Sequence, residues 1–236
     1  MAAPAMLANA YQSFAGPAAR VLYRTANSCS YYPSQAGTNT GRTGREVIMK
    51  LGAAIAEIMK REGIEILCGY PVNHLIEFAA NADIRPVMVR QERIGVHMAD
   101  AISRVTSGGK IGAFCMQHGP GAENAMGGVA QCYGESVPVL VLPMGYARRL
   151  ANIDPNFNSS QAMKAFSKSS EPIILASEVC NIFRRAFTKL KNGRGGPVIV
   201  EIPADMWNEE VPEPLNYTPV LRTRYGADPL LSLIHI

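Results

Sequence analysis

Ile111-Gly-Ala-Phe-Cys-Met-Gln-His-Gly-Pro-Gly-Ala-Glu-Asn124 passes from a short apolar run, through a glycine-rich turn, into a helical pattern that continues to Tyr133. The next run, Val137-Pro-Val-Leu-Val-Leu142, is apolar without alternation, as expected of a strand covered on both faces. Strand, turn, helix and strand together define a parallel unit, because parallel strands need a crossover between them. The spacing therefore predicts strands over 111–116 and 137–142 and a helix over 122–133.

The same alternation extends outward in both directions. Upstream, Thr43-Gly-Arg-Glu46 reads as a capping box, and Val47, Ile48, Leu51, Ile55, Ile58 and Met59 follow at helical spacing up to Gly63. A strand over 65–69, a helix over 73–81, a strand over 85–89 and a helix over 92–106 come next. Downstream, a helix over 177–192 and a strand over 198–202 complete the pattern. The fold class is α/β, a parallel sheet with helices on both faces. Ligands of such sheets bind at the carboxyl ends of the strands. Three segments lie there: Gly69-Tyr70-Pro71, Arg90-Gln91-Glu92 and Gln117 to Asn124.

Composition removes several classes of function. The net charge of +4 looks basic, but Arg20, Arg24, Arg42 and Arg45 fall in an acid-free N-terminal segment, leaving 19 basic against 19 acidic residues in the remainder. No basic stripe for nucleic acid is left. The longest apolar stretch, 137–144, is far short of the roughly 20 residues of a membrane helix. Five cysteines (Cys29, Cys68, Cys115, Cys132 and Cys180), odd in number and without a C-x-x-C pair, argue against a disulfide framework and for a reducing compartment. His74, His97, His118 and His235 show no spacing that would converge on a metal. Cytoplasmic localisation is the expectation, with an organellar matrix as the alternative if residues 1–42 are a transit peptide.

Three segments are predicted: an extension over 1–42, a domain over 43–208, and a linker with a short apolar tail over 209–236. The linker reading rests on Pro212, Pro214, Pro219 and Pro229. After Gly145 a polar stretch containing Asn152, Asp154, Asn156, Asn158, Ser159 and Ser160 is longer than a simple connector requires, and such loops carry function.

Glu92 follows a strand and opens a helix, where the helix dipole alone favours an acid. Gly119-Pro-Gly121 matches neither G-x-G-x-x-G nor G-x-x-x-x-G-K-[ST]. On spacing, that turn serves tight helix-sheet packing and a ligand site equally well.

Taken in order, Gly69-Tyr70-Pro71, Gln91-Glu92-Arg93, Gln117-His118-Gly119-Pro120-Gly121-Ala122-Glu123-Asn124, Val137-Pro138-Val139 and Arg194-Gly-Gly-Pro-Val-Ile-Val-Glu-Ile-Pro203 resemble one family. It is the N-terminal pyrimidine-binding domain of the thiamine-diphosphate-dependent acetolactate synthase, glyoxylate carboligase and benzoylformate decarboxylase superfamily. The resemblance implies a cofactor, thiamine diphosphate. Glu92 matches the glutamate that hydrogen-bonds N1′ of its aminopyrimidine, favouring the tautomer whose 4′-nitrogen removes the thiazolium C2 proton. That task requires a dry pocket in which a carboxyl can share a proton. Tyr70, Pro71, Gly119, Gly121 and Asn124 match positions around the ring. His118, Phe157 and Asn158 match the substrate side, and Lys168 matches a family lysine.

The sequence departs from the family at Val72, where glycine is common, at His118 and Glu123, which replace Ser/Thr and Thr, and at Phe157-Asn158-Ser159, where acetolactate synthases carry Phe-Gln-Glu. The family's Gly-Asp-Gly motif, which serves Mg2+ and the diphosphate on a separate domain, occurs nowhere in the chain. The resemblance thus implies a half-site, completed by a diphosphate-binding domain of the same or a second subunit. The whole would be a homodimer or tetramer that decarboxylates a 2-oxo acid and transfers or releases the resulting unit, while the isolated chain would be inactive. The alternatives are a separate subunit of a split decarboxylase and an inert dimerisation module. Trp207, Glu209 and Glu210 read as surface or linker residues.

Overall fold

A computed structural model describes residues 48–223. The expected extension over 1–42, the capping box at Thr43 to Glu46 and the tail over 230–236 lie outside the described residues. Six parallel strands form the sheet: β2 (Ile66–Gly69), β3 (Arg85–Met88), β4 (Gly112–Met116), β5 (Val139–Gly145), β6 (Ser169–Pro172) and β7 (Val198–Pro203). Their order is β3-β2-β4-β5-β7-β6. Every residue of β4, β5 and β7 is buried, the pattern of strands covered on both faces.

Successive side chains of those strands enter two separate cores. Leu67, Ala113, Cys115, Leu140, Leu142, Val198 and Val200 pack with α1 (Leu51–Arg61), α2 (Leu75–Asn81) and α6 (Val179–Lys191). Cys68, Phe114, Met116, Val139, Val141 and Ile199 pack with α3 (Glu92–Val105) and α4 (Pro120–Gly134). The alternation follows from the two-residue repeat of a strand. Each helix presents its apolar stripe to one core: α1, for instance, buries Leu51, Ala54, Ile55, Ile58 and Met59. Gly63 ends that turn at φ +87°, with its N–H on Lys60 O and the Ile64 N–H on Met59 O.

The helix expected from Val47 onward begins at Leu51 instead. Ile48–Lys50 form β1, paired antiparallel with β8 (Glu210–Pro212). Local periodicity cannot reveal this pairing, because the partner lies about 160 residues away in the chain.

The proline-rich segment read as a linker is packed against the domain as far as it is described. Leu215 and Tyr217 are buried. Arg61 donates to the carbonyls of Leu215 and Tyr217, the Tyr217 hydroxyl and the Val220 N–H donate to Glu62, and Lys191 forms an ion pair with the same carboxylate. Trp207, read as a surface or linker residue, is only 3% exposed and stacks on Phe78 at 6.4 Å between ring centroids.

Burial, reinforced by the Glu62 hydrogen bond, holds the Tyr217 hydroxyl well above its ordinary pKa. Its contribution is therefore complete below the usual tyrosine value of about 10 and is lost as pH rises through the folded value. Urea midpoints measured from pH 8 to 11 should fall more steeply in wild type than in Tyr217→Phe; parallel curves would count against the contact.

Candidate functional site

All three loops expected to meet at the carboxyl end of the sheet do so, because β2, β3 and β4 are parallel neighbours. Glu92 is the first residue of α3, preceded by Gln91 in an extended conformation. Its side chain is buried, with 6% of the residue exposed. Asn124, in the first turn of α4, donates Nδ2 to Glu92 Oε2 at 3.3 Å. Among the described residues no other side chain or backbone donor reaches this carboxylate. A buried carboxylate usually has more partners.

Gly119 caps α4 at φ +59°, ψ −116°, a region in practice reserved for glycine, and Pro120 occupies the first helical position, where its missing N–H costs nothing. A Cβ added at Gly121 would stand 3.4 Å from Glu92 Oε1 and 3.0 Å from Gln117 Cγ. Glycine there leaves the space beside the carboxylate open.

His118 packs its ring edgewise on Tyr146, with centroids 4.4 Å apart, and its buried Nδ1 has no hydrogen-bond partner among the described residues. Tyr146 follows β5, and its hydroxyl would lie 3.1 Å from a Cβ at Gly119. Sequence reading did not single out Tyr146, since a tyrosine after a strand has no distinguishing pattern.

Tyr70 and Pro71 occupy the neighbouring strand end. The Tyr70 N–H donates to Cys115 O at 3.1 Å and its ring packs against the α3/α4 core, while Pro71 is exposed. No hydrogen bond joins either to Glu92 among the described residues. Phe157 and Asn158 also stand apart. Phe157 packs against the α3/α4 core, and Asn158 caps the short helix α5 (Ser159–Ala162) by accepting from the Gln161 N–H at 2.9 Å. Both line a cleft that reaches the site at Glu123. Lys168 donates to the carbonyls of Lys189 and Asn192 at the end of α6, a capping task.

Asn73 organises the site and carries no sequence signature. It is buried, donates Nδ2 to Met116 O at 2.8 Å and to Leu142 O at 3.3 Å, and accepts from the Leu75 N–H at 2.9 Å. One amide thus ties the loop after β2 to the end of β4 and the middle of β5. Asn73→Ala should cost about 1–3 kcal/mol in chemical denaturation, the penalty for unpaired buried carbonyls. A change below about 0.5 kcal/mol, ordinary for surface sites, would deny Asn73 this role.

Val72, where the resembled family commonly has glycine, sits at φ +79° and is 67% exposed. A β-branched residue there is strained by roughly 1–2 kcal/mol. The added chain entropy of glycine offsets roughly 0.5–1 kcal/mol of that. Val72→Gly should therefore stabilise the domain by about 0.5–1 kcal/mol, measured by urea unfolding; destabilisation would contradict the strain.

The molecule is thus a parallel α/β domain with an under-partnered carboxylate at a strand-helix junction, faced by a glycine-rich turn. Residues 49–169 match the family described as thiamine pyrophosphate enzyme, N-terminal TPP binding domain. The chain belongs to that family. It is 29% identical over 177 residues to the acetolactate synthase large subunit of Haemophilus influenzae, covering 72% of this chain and 30% of the relative. It is 31% identical over 169 residues to the probable acetolactate synthase large subunit of Methanocaldococcus jannaschii, covering 69% and 28%. With the acetolactate synthase isozyme 3 large subunit of Escherichia coli the figures are 31% over 154 residues, 62% and 26%. The chain spans less than a third of the length of these relatives.

Proposed function

We propose that this chain holds the aminopyrimidine of thiamine diphosphate, as one half of a site whose other half binds the diphosphate through Mg2+. The observation that carries this reading is Glu92: a buried carboxylate with a single 3.3 Å donor, beside the open space that Gly121 leaves. These residues fit the ring. A donor-acceptor edge entering there would give Glu92 the partner it lacks.

When bound, the cofactor supplies an acidic thiazolium C2–H and an electron sink for decarboxylation. Glu92 then holds or shares the proton at N1′. Asn124 keeps the carboxylate in place, and Gly119 and Gly121 let the ring approach the backbone. The core behind Glu92, built from Phe114, Val96 and Ala122, keeps water from its inner side.

The partner is a diphosphate-binding domain of the same or a second subunit. Ile94 (50% exposed), Met98 (36%) and Val105 (81%) lie on one face of α3, the helix that Glu92 opens. A stripe of this kind on the cofactor-bearing helix suits a protein partner. The assembled enzyme decarboxylates a 2-oxo acid and transfers the product unit. The test is release of carbon dioxide from pyruvate and larger 2-oxo acids by the chain mixed with the diphosphate-binding domain of an acetolactate synthase. Cofactor-dependent release is expected only from the mixture. An associated mixture that is inert towards every 2-oxo acid would move the reading to a dimerisation module.

A further inference from the structure

A cleft of about 720 Å3 lies between the first turn of α4 and the segment that leads into α5. That is ample for a small organic molecule, whose sites span roughly 300–1,000 Å3. It borders the site in sequence: Glu123 lines the cleft, and the next residue, Asn124, donates to Glu92.

The chemistry of the wall is one-sided. Glu123 and Asp154 contribute carboxylates, and Asn152, Asn156, Asn158 and Gln161 contribute amides, with no Lys or Arg among the lining residues. Of the cations that flank the lining segment in sequence, Arg148 is engaged elsewhere, with Asp205, Glu209 and the carbonyl of Ile174, whereas Arg149 and Lys164 lie outside the lining and form no ion pair among the described residues. Part of the amide set is committed to the loop: Asn156 Nδ2 donates to Leu150 O at 2.9 Å and Asn158 Oδ1 accepts from the Gln161 N–H. The side chains of Asn152 and Gln161 make no hydrogen bond among the described residues. The wall is anchored from behind by the buried carboxylate of Glu201, which accepts from the Ser159 hydroxyl and, at 2.8 Å, from the Ser160 N–H. The backbone leading into α5, with Asn156 and Asn158, is therefore held in place, while Glu123, Asn152, Asp154 and Gln161 are exposed.

We propose that this cleft binds a hydroxyl-rich, neutral or cationic molecule, and that it excludes anions. Resting on the function proposed above, the molecule is the acceptor of the transferred unit, a polyhydroxy or amino-substituted carbonyl compound, not a second 2-oxo acid. Two carboxylates that form no ion pair among the described residues disfavour an incoming anion, as like charges do at any recognition surface. Unspent amides reward hydroxyl groups and penalise apolar surfaces that leave them unpaired.

The test needs only the chain itself. Saturation-transfer NMR is recorded on the 236-residue protein with glucosamine, glucose and gluconate, probes of similar size that are cationic, neutral and anionic. Glucosamine should bind best and gluconate worst, with about a tenfold difference between them, roughly 1.4 kcal/mol. Glu123→Gln combined with Asp154→Asn should remove most of that difference. Equal or better binding of gluconate, saturation of none of the three, or an unchanged ranking in the double variant would each overturn the proposal. Thiamine diphosphate binding is measured separately in the assembled site. Ranked sugar binding without cofactor binding would remove the proposed function and keep the cleft's selectivity; the reverse result would do the opposite.

Discussion

Glu92→Gln is expected to slow exchange of the cofactor's C2 hydrogen by about 10²–10⁴-fold in the assembled site, the usual contribution of a positioned acid-base group. The substitution preserves volume and planarity, and the amide oxygen still accepts from Asn124 Nδ2 where Oε2 does now. What disappears is the ability to share a proton with a ring nitrogen. Stability should change little, because the carboxylate makes no ion pair among the described residues. Deuterium exchange at C2, followed by quenched-flow NMR, separates this chemical loss from a loss of binding. Exchange at the wild-type rate would remove Glu92 from the proposed role.

Gly112→Ala should be among the most damaging small substitutions in the fold, destabilising it by about 3 kcal/mol or more. A Cβ at Gly112 would lie 1.9 Å from the carbonyl oxygen of Ala99, and 2.8 Å from Ala99 Cα. Both are backbone atoms of α3, so no side-chain rotation relieves the clash. The helix must lift off β4, and with it the core around Phe114, which already touches Gly95 so closely that a Cβ there would stand 2.2 Å from its ring. Because α3 opens with Glu92, the same displacement should loosen the carboxylate site. Denaturant unfolding checks the stability; a loss under about 1 kcal/mol would mean that the layers can slide apart cheaply.

The parallel α/β architecture was legible because its signals are local. The unbroken apolar run at 137–142 and the glycine turn at 119–121 each needed only their own neighbours to be read. The segments that escaped depend on distant partners. Ile48–Lys50 is a strand because Glu210–Pro212 pairs with it, and Tyr217 is buried because Glu62 and Arg61 meet it from α1. Proline content pointed to a linker, yet prolines are tolerated in a short edge strand such as β8.

At the site, Glu92, Gly121 and Asn124 could be singled out by the motifs they share with a family, and the fold brings them into contact. Asn73, Tyr146 and Glu201 escaped, because an asparagine that bridges two strands looks in sequence like any loop residue. Phe157 and Asn158 were named for the substrate side, whereas the structure shows their immediate work to be core packing and helix capping. The cleft they line is a collective property of residues spread from Glu123 to Ala162, invisible to any one motif.

The central claim is that this domain holds the pyrimidine end of thiamine diphosphate and needs a partner for the other end. Titration calorimetry of thiamine diphosphate with Mg2+ tests it most directly, on the chain alone, on the chain mixed with a diphosphate-binding domain, and on the same mixture carrying Glu92→Ala. Binding confined to the mixture and weakened by Glu92→Ala is the predicted result. Binding that is indifferent to Glu92, or absent from a mixture shown to associate, would contradict it.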